Sequence, residues 1–272
     1  MMLKCWQDGG PNNEIWNWGD AVSPEIFRLL NGHSATSANY TENQDKQASL
    51  LICGSTLKWA TQHSVIWGSG AITNNHAFVH GKPDSIDARL VRGPLTRAEL
   101  LNFGFQCPAY FGDPAEIFPR YYWPSTDKEF SLGILPHYID QPLFNSELFQ
   151  HPRIKIIDIT QKASNNKIYD FIDDVLSCEV IASSSLHGII LSEAYRIPCL
   201  WMKFSDNLFG GDFKFLDYYF STGRIDMKPL ILAAGDLSIS GARAAMHDFP
   251  LPNPRNLDFM IESFPSDLVD HD

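Results

Sequence analysis

The sequence predicts an α/β protein with two halves, each a doubly wound parallel sheet covered by helices. Short apolar runs alternate with helical segments along the chain of 272 residues, which is typical of βαβ units. A polar segment that contains proline, YYWPSTDKEF at 121–130, interrupts this alternation and predicts a linker. With 44% hydrophobic residues, the chain can bury a sizeable core. We therefore expect two domains, over residues 1–125 and 126–272.

The first half begins with an expected strand at 1–6 and a polar loop that ends in NWGD at 17–20. Ser23 and Pro24 then predict a helix start, because serine is a favoured N-cap and proline fits the first helical position. Asn31-Gly32 predicts the end of this helix. The remaining expected elements are strands at 50–54, 64–68 and 85–92 and a helix at 95–103 that Gly104 closes.

The second half repeats this alternation. Its expected strands are apolar runs at 131–136, 154–159, 179–182 and 199–201, which suit buried parallel strands. One helix is expected to start within Ser183-Ser184-Ser185 and to stop before Ile197-Pro198, since proline disfavours helical geometry in the residue before it. The other expected helices are 168–178, 212–223 and two more after residue 240.

Charge and cysteine content narrow the classes of function. The formal net charge of −11 argues against sequence-independent nucleic-acid binding, which needs a basic surface. The five cysteines lie far apart without a CxxC pair, so neither a zinc site nor a disulfide framework is expected. The sequence lacks the pattern of a signal peptide and any apolar run long enough for a bilayer. We expect a cytoplasmic protein without a bound metal, and a peripheral position at the inner face of the membrane is compatible with this.

The segment CEVIASSSLHGIILSEAYRIPCLW at 178–201 predicts a strand, a tight serine turn, a helix and a second strand. Such a turn brings backbone N–H groups and the positive end of a helix dipole to the carboxyl end of a strand, which favours an anion. Ser183, Ser184 and Ser185 are therefore candidate ligands of a phosphate or carboxylate. His187 follows in the first helical turn as a candidate proton donor or acceptor, with a purely structural role as the alternative.

Further candidate residues follow other predicted strands, at the sheet edge where α/β proteins bind ligands. Arg92 suits an anion, whereas the NWGD segment suits hydrogen bonding to a sugar and stacking on it. For Asp113 two interpretations stay open, the N-cap of a short helix and a ligand contact. The candidates outside the serine turn are Asn17, Trp18, Asp20, Arg92, Asp113 and His137.

Six segments, in this order, resemble the polysaccharide pyruvyl transferase family: NWGDAVSPEIF, VIWGSGA, ARLVRGPLTR, GDPA, LGILPHY and ASSSLHGIILSEAYRIPCLW. The resemblance covers roughly residues 12–225 and is close to the exopolysaccharide ketal-pyruvate transferases. It implies two Rossmann-like domains in a glycosyltransferase-B-like arrangement with a central cleft. It also implies phosphoenolpyruvate as donor, no cofactor, and a sugar diol of an exopolysaccharide or its lipid-linked precursor as acceptor. The implied products are a pyruvate ketal and inorganic phosphate.

The same resemblance implies roles for single residues. His187 matches the histidine of the family's basic-leucine-histidine motif, but Ser185 stands where many relatives have arginine. Arg92, Arg89 or Lys203 would then have to supply the compensating charge. We assign catalysis to His187, Arg92 and Asp20, donor binding to Ser183, Ser184, Ser185, Arg92 and His137, and acceptor binding to Asn17, Trp18, Asp20 and Asp113.

Two other functions stay open from the sequence. A glycosyltransferase that uses a nucleotide sugar would have a similar architecture, and a fold alone does not determine function. The serine at position 185 is also compatible with a carbohydrate-binding relative that has lost catalysis.

Overall fold

The computed structural model describes residues 2–4, 15–34, 37–38, 48–74, 78–79, 81–144, 150–162 and 167–268. These residues form two five-stranded sheets in which neighbouring strands run parallel. The α/β class and the two parallel sheets expected from the apolar runs are thereby confirmed. The glycosyltransferase-B-like arrangement stays a prediction.

The strands, in chain order, are β1 (Met2–Lys4), β2 (Ile15–Asn17), β3 (Ser37–Ala38), β4 (Ser49–Leu51), β5 (Ser64–Trp67), β6 (Asp87–Leu90), β7 (Leu132–Leu135), β8 (Ile154–Ile156), β9 (Thr160–Lys162), β10 (Ile181–Ser183), β11 (Cys199–Lys203) and β12 (Leu230–Ile231). The first sheet has the order β3-β1-β4-β5-β6, and the second has the order β12-β11-β10-β7-β8. Strands β2 and β9 form a separate antiparallel pair.

The α-helices are α1 (Trp18–Ala21), α2 (Ser23–Asn31), α3 (Pro94–Asn102), α4 (Ile168–Leu176), α5 (Leu186–Ala194), α6 (Phe213–Ser221), α7 (Ile239–Ala245) and α8 (Asp258–Glu262). Glycines in left-handed conformation follow two of them as predicted, Gly32 with φ 75° after α2 and Gly104 with φ 85° after α3. Across the described ranges, none of the helices combines the length and the apolar character that crossing a membrane requires.

A continuous hydrophobic core contains buried residues from both sheets. Trp18 in α1 connects the halves, since its backbone N–H donates to Ile159 O at 2.8 Å and its Nε1 donates to Ile168 O at 3.1 Å. Helix α8 returns to the first sheet, where Trp67 Nε1 donates to Met260 O at 3.1 Å. These contacts couple the two halves, and the domain boundary at residue 125 stays a prediction.

Local differences from the expected elements have simple causes. Ser23 is the first residue of α2, and Val22 takes the N-cap position. The Ser23 hydroxyl instead accepts a hydrogen bond from Cys53 N–H at 3.2 Å, which ties α2 to the loop after β4. The strand expected at 85–92 is limited to β6, with a single bridge from Val91 to Phe111 beyond it. Residues 5–14, which belong to the expected first strand and polar loop, lie outside the described residues.

Candidate active site

A cleft of about 260 Å³ lies where strands of both sheets end. Residues 54–59 reach it after β4, residues 137–138 after β7 and residues 185–187 after β10, while the first turn of α6 reaches it after β11. Ligands of parallel sheets bind at this edge, so the cleft lies where the sequence predicts it. Its charged and hydrogen-bonding side chains include Asn17, Asp20, Lys58, His137, Ser185, His187 and Lys214.

Ser183 and Ser184 use their hydroxyl groups to shape the turn before α5. The Ser183 hydroxyl donates to Leu135 O at 2.9 Å and accepts from Ser185 N–H at 3.0 Å. The Ser184 hydroxyl donates to Asp140 Oδ2 at 2.7 Å and accepts from His137 N–H at 2.9 Å. The expectation that both serines bind the donor is therefore corrected, because their hydroxyls are buried and engaged inside the protein.

Ser185 is the serine of this turn that lines the cleft. It occupies the N-cap position of α5 with φ −107° and ψ 134°, and its side chain makes no capping hydrogen bond. The first backbone N–H groups of an α-helix have no partner within the helix. The start of α5 therefore presents N–H groups and a positive dipole end at the edge of the cleft, as the sequence predicts.

His187 lines the cleft. Its imidazole ring lies between two buried neighbours, Asp113 and Gly19. Its Nε2 lies 3.5 Å from Asp113 Oδ2, and both atoms are buried without a hydrogen-bond partner among the described residues. Nδ1 lies beside Gly19, where a Cβ atom would come within 1.8 Å of it. The buried carboxylate of Asp113 and the close approach of Gly19 thus fix the imidazole of His187 from two sides.

Asp113 is fully buried and caps the 3₁₀ segment Pro114–Arg120. Its Oδ1 accepts from Ala115 N–H at 3.0 Å, and its own N–H donates to Glu116 Oε1 at 3.0 Å. Burial would raise the pKa of Asp113, but the neighbouring His187, the Ala115 N–H and the charge of Arg92 outweigh it, and the pKa is lowered. The N-cap interpretation is confirmed, and the predicted acceptor contact is wrong because the carboxylate is enclosed behind His187.

Cys53 completes a buried group with Asp113 and His187, whose ligand atoms all lie within 4.8 Å of one another. A thiolate, a carboxylate and an imidazole would suit a zinc ion. However, the Cys53 thiol donates to Asp113 Oδ1 at 3.5 Å, and burial together with that carboxylate raises its pKa well above the usual value. Cys53 and Asp113 thus form a hydrogen-bonded pair beside His187.

Trp18 belongs to the core and is not exposed to the cleft, with 0% exposure. The centroid of its ring system lies 5.1 Å from that of Phe171, 5.8 Å from that of Phe118 and 6.3 Å from that of His187. The prediction that Trp18 stacks on a sugar is therefore wrong, because its faces are already covered. Its role is to support the imidazole of His187.

Arg92 is fully buried, and all three guanidinium nitrogens have partners. Nε donates to Asp217 Oδ2 at 3.0 Å, and the two terminal nitrogens donate to Ser55 Oγ at 3.0 Å and to Ala71 O at 2.5 Å. Asp217 also accepts from the N–H of Thr96 at 2.9 Å. The predicted roles of Arg92 in catalysis and donor binding are wrong, because a carboxylate 125 residues later binds its guanidinium.

Two glycines make room for this ion pair. A Cβ atom at Gly70 would lie 2.3 Å from Arg92 Cζ, and one at Gly93 would lie 2.0 Å from Asp217 O. The Gly68-Ser69-Gly70 turn after β5 is therefore the place where the Arg92 guanidinium packs onto the backbone.

Lys58 and Lys214 bring positive charge into the cleft, and neither is predicted from the sequence. Burial lowers the pKa of Lys58. Burial, followed by the charge of Arg92, also lowers the pKa of Lys214, to about 8, while Asp20 acts in the opposite direction. Among the described residues, no carboxylate forms an ion pair with Lys214 Nζ. The signal that could have identified these lysines is their position shortly after the ends of β4 and β11.

The cations expected to compensate for Ser185 lie elsewhere. Arg89 pairs with Asp87 and Asp267 outside the cleft. Lys203 pairs with Asp206 at 2.8 Å and borders a separate cavity of about 30 Å³. Lys58 and Lys214 thus line the cleft instead of Arg89 and Lys203.

His137 lines the cleft as predicted, but as a neutral side chain. Its Nδ1 accepts from Ile139 N–H at 3.4 Å. Burial and then the charge of Lys214 lower the pKa of His137 to about 3. At neutral pH it can donate a hydrogen bond from Nε2, but it adds no charge to the site.

Asn17 and Asp20 also line the cleft that contains His187. The Asn17 side-chain oxygen accepts from Gly19 N–H at 3.0 Å and so caps α1. Asp20 lies against Gly54, where a Cβ atom would come within 2.9 Å of its Oδ1. The structure therefore brings the polar residues of the NWGD segment to the same cleft as the histidine.

The sequence pattern of the family described as polysaccharide pyruvyl transferase matches residues 8–206 of this chain. Uncharacterized protein L143 of Acanthamoeba polyphaga mimivirus is 29% identical over 177 residues, which are 61% of this chain and 57% of that protein. Succinoglycan biosynthesis protein ExoV of Rhizobium meliloti (strain 1021) is 26% identical over 226 residues, which are 76% of this chain and 63% of that protein. The matched region thus spans about three fifths of the length of each relative. No solved structure matches the chain significantly.

Proposed function

The chain belongs to the polysaccharide pyruvyl transferase family, and from this premise we propose that it moves the pyruvyl group of phosphoenolpyruvate onto a sugar. The acceptor is a pair of hydroxyl groups on an exopolysaccharide or on its lipid-linked precursor. The products are a pyruvate ketal and inorganic phosphate. Phosphoenolpyruvate is a co-substrate, and the proposed chemistry needs no further cofactor. We also propose that the enzyme is cytoplasmic and binds its lipid-linked acceptor at the inner face of the membrane.

The observation that carries this proposal is a set of anion-binding groups that share the cleft with the Asp20 carboxylate. Lys58, Lys214 and the start of α5 meet there, although the net charge of the protein is −11. Phosphoenolpyruvate carries a phosphate and a carboxylate, and both bind well to lysine ammonium groups and to helix N-termini. Ser185 and neutral His137 add hydrogen-bond donors for the oxygens of these groups.

The transfer requires one proton on carbon and the loss of two hydroxyl protons. The methylene carbon of phosphoenolpyruvate takes up a proton and becomes a methyl group, while the central carbon gains positive character. The first sugar hydroxyl attacks this carbon, the bond to phosphate breaks, and the second hydroxyl closes the ketal. One hydroxyl proton balances the proton that carbon takes up, and the other leaves with phosphate.

In this scheme His187 is the acid that protonates carbon. The Asp113 carboxylate faces Nε2 at 3.5 Å and orients the ring for proton transfer in the cleft. Asp20 is the proposed base for a sugar hydroxyl, and Asn17 binds the same sugar. Lys214 and Lys58 stabilise the negative charge on the departing phosphate.

A glycosyltransferase that uses a nucleotide sugar is the second candidate. The two lysines and the start of α5 in the cleft suit a small anionic donor, and the assay below decides between this donor and a nucleotide sugar. A carbohydrate-binding protein without catalysis is the third candidate. The buried carboxylate held against His187 favours a catalytic site over this third possibility.

The test is to incubate the purified protein with phosphoenolpyruvate and a panel of glycans with free diols. We expect release of phosphate that depends on the glycan, and a gain in glycan mass that corresponds to one pyruvate ketal. Transfer from a nucleotide sugar with no reaction of phosphoenolpyruvate would overturn the proposal. Binding of glycan without turnover of either donor would favour the third candidate.

Two variants and a control assign the roles within this assay. His187→Gln is expected to abolish turnover while it changes the affinity for phosphoenolpyruvate much less. Lys214→Met is expected to weaken donor binding strongly. Lys228→Met replaces an exposed lysine outside the cleft and should match the unchanged protein in both measurements.

A further inference from the structure

Two aromatic side chains are exposed where the cleft opens. Phe209 is 69% exposed and Tyr138 is 39% exposed, and both line the cleft. Single exposed apolar side chains are common on proteins. Two large ones beside the polar groups of one cleft instead indicate a surface that contacts a ligand. Neither residue takes part in the proton transfers or in binding the phosphate as described above.

Phe209 is presented by a turn whose shape depends on glycine. Leu208 O accepts from Gly211 N–H at 3.1 Å, and Gly210 and Gly211 have φ values of 81° and 55°, which other residues rarely adopt. A Cβ atom at Gly210 would lie 2.1 Å from Ile72 O. The turn therefore packs directly on the loop after β5 and exposes Phe209 at a defined place.

Tyr138 is held by its neighbour at the end of β7. The centroid of its ring lies 4.3 Å from that of His137, with 34° between the ring planes. This contact orients the Tyr138 ring, while the residue stays 39% exposed and lines the cleft. The two aromatic residues thus come from separate segments, one after β7 and one after β11.

We propose that Phe209 and Tyr138 bind the acceptor sugar through contact between their ring faces and the apolar C–H face of a pyranose. This inference rests on the proposed function and deepens it. The face of an aromatic ring carries partial negative charge and attracts the weakly positive hydrogens of C–H bonds. The hydroxyl edge of the sugar then meets Asn17 and Asp20, which line the same cleft. Phe209 and Tyr138 thus take the place of Trp18, which the sequence predicts to stack on the acceptor sugar.

A nucleobase could also stack on such rings, and the polar side chains of the cleft favour the sugar. The acidic side chain of Asp20 and the amide of Asn17 suit several hydroxyl groups on one ligand.

The test compares Phe209→Ala and Tyr138→Ala with the unchanged enzyme in steady-state pyruvyl transfer. We expect each variant to raise KM for the glycan by about tenfold, with little change in KM for phosphoenolpyruvate, and we expect Phe209→Trp to retain low KM for the glycan. Tyr110→Ala is the matched control, because Tyr110 is 53% exposed and lies outside the cleft lining. Unchanged KM for the glycan in both alanine variants would overturn the inference.

A binding experiment without donor separates this inference from the proposed function. Titration calorimetry with a free oligosaccharide should show weaker binding to Phe209→Ala than to the unchanged protein, even in a preparation that does not turn over phosphoenolpyruvate. If phosphoenolpyruvate is turned over and oligosaccharide binding is equal in both proteins, the proposed sugar contact is wrong and the proposed function stands. Loss of nucleotide binding in Phe209→Ala, with oligosaccharide binding retained, would assign the rings to a base and also overturn the inference.

Discussion

Arg92 and Asp217 form a fully buried ion pair that joins the end of the first sheet to helix α6. Nε of Arg92 lies 3.0 Å from Oδ2 of Asp217, and both side chains have 0% exposure. Lys214 lies one helical turn before Asp217 and lines the cleft. The ion pair therefore holds the helix that carries the lysine, and Arg92 acts on the cleft through the position of α6 and through its charge.

The first prediction is that Arg92→Leu destabilises the fold. The change leaves the Asp217 carboxylate buried without its cation, which typically costs about 3–5 kcal/mol. Urea unfolding should show this as a lower free energy of unfolding. As a control, Asp258→Asn breaks the exposed ion pair with Arg120 and should leave the urea midpoint nearly unchanged. A stable Arg92→Leu protein that has lost only donor binding would instead support the ligand role expected from the sequence.

The second prediction concerns the pH dependence of donor binding. The lowered pKa of Lys214, about 8, means that its ammonium group loses its proton as the pH rises through that value. The dissociation constant for phosphoenolpyruvate, measured by titration calorimetry, should therefore increase above about pH 8. Lys214→Arg should bind the donor across this range, because a guanidinium stays protonated. Lys214→Met should bind weakly at every pH.

The titration of Lys214 does not itself destabilise the fold over this pH range. A lysine whose pKa is lower in the folded state than in the unfolded state opposes folding while it is charged in both states. This penalty is relieved as the pH rises through about 8, so the contribution of Lys214 to the free energy of unfolding becomes more favourable there. An affinity for phosphoenolpyruvate that is constant through this pH range would contradict the assignment of Lys214 to the donor.

The sequence predicts those features of the site that neighbouring residues determine. The serine turn, the position of His187 in the first turn of α5 and the N-cap at Asp113 all follow from short segments. The wrong assignments depend on partners far away in the chain. Trp18 is enclosed by a contact with Ile168, 150 residues later, and its local segment contains no sign of this.

The two lysines of the cleft are hard to predict from the sequence for a different reason. Most lysines lie on the surface, so Lys58 and Lys214 look ordinary until two sheets place them in one cleft. Arginine at a strand end is the more suggestive pattern for an anion, yet Arg92 is neutralised by Asp217. Local sequence gives the type of each side chain, whereas its charge partner and exposure depend on the tertiary fold.

The third prediction is that Gly19→Ala displaces the ring of His187. A Cβ atom at position 19 would lie within 1.8 Å of Nδ1, so the imidazole must move away from its place in the cleft. Because positioning errors at a reacting group are costly, we expect kcat for pyruvyl transfer to fall by about 10²-fold. Gly241→Ala, in α7 and outside the cleft lining, is the control and should retain kcat. Wild-type kcat in Gly19→Ala would contradict the assigned position of the ring.

The fourth prediction is that Asp113→Asn lowers kcat without unfolding the protein. An asparagine side-chain oxygen can still accept from Ala115 N–H, so the cap of Pro114–Arg120 is retained. The charge that faces His187 Nε2 at 3.5 Å is lost, and with it the charged partner that orients the imidazole. We expect kcat for pyruvyl transfer to fall by about 10²–10⁴-fold, with KM for phosphoenolpyruvate little changed.

A second variant at this position separates the cap from the charge. Asp113→Ala removes both, so thermal unfolding should show a further loss of stability of about 1 kcal/mol relative to Asp113→Asn, while the two variants share the same low kcat. If Asp113→Asn kept the wild-type kcat, the carboxylate would serve only as a helix cap. His187 would then act as an acid without the help of Asp113, and the proposed catalytic role of the Asp113 carboxylate would be wrong.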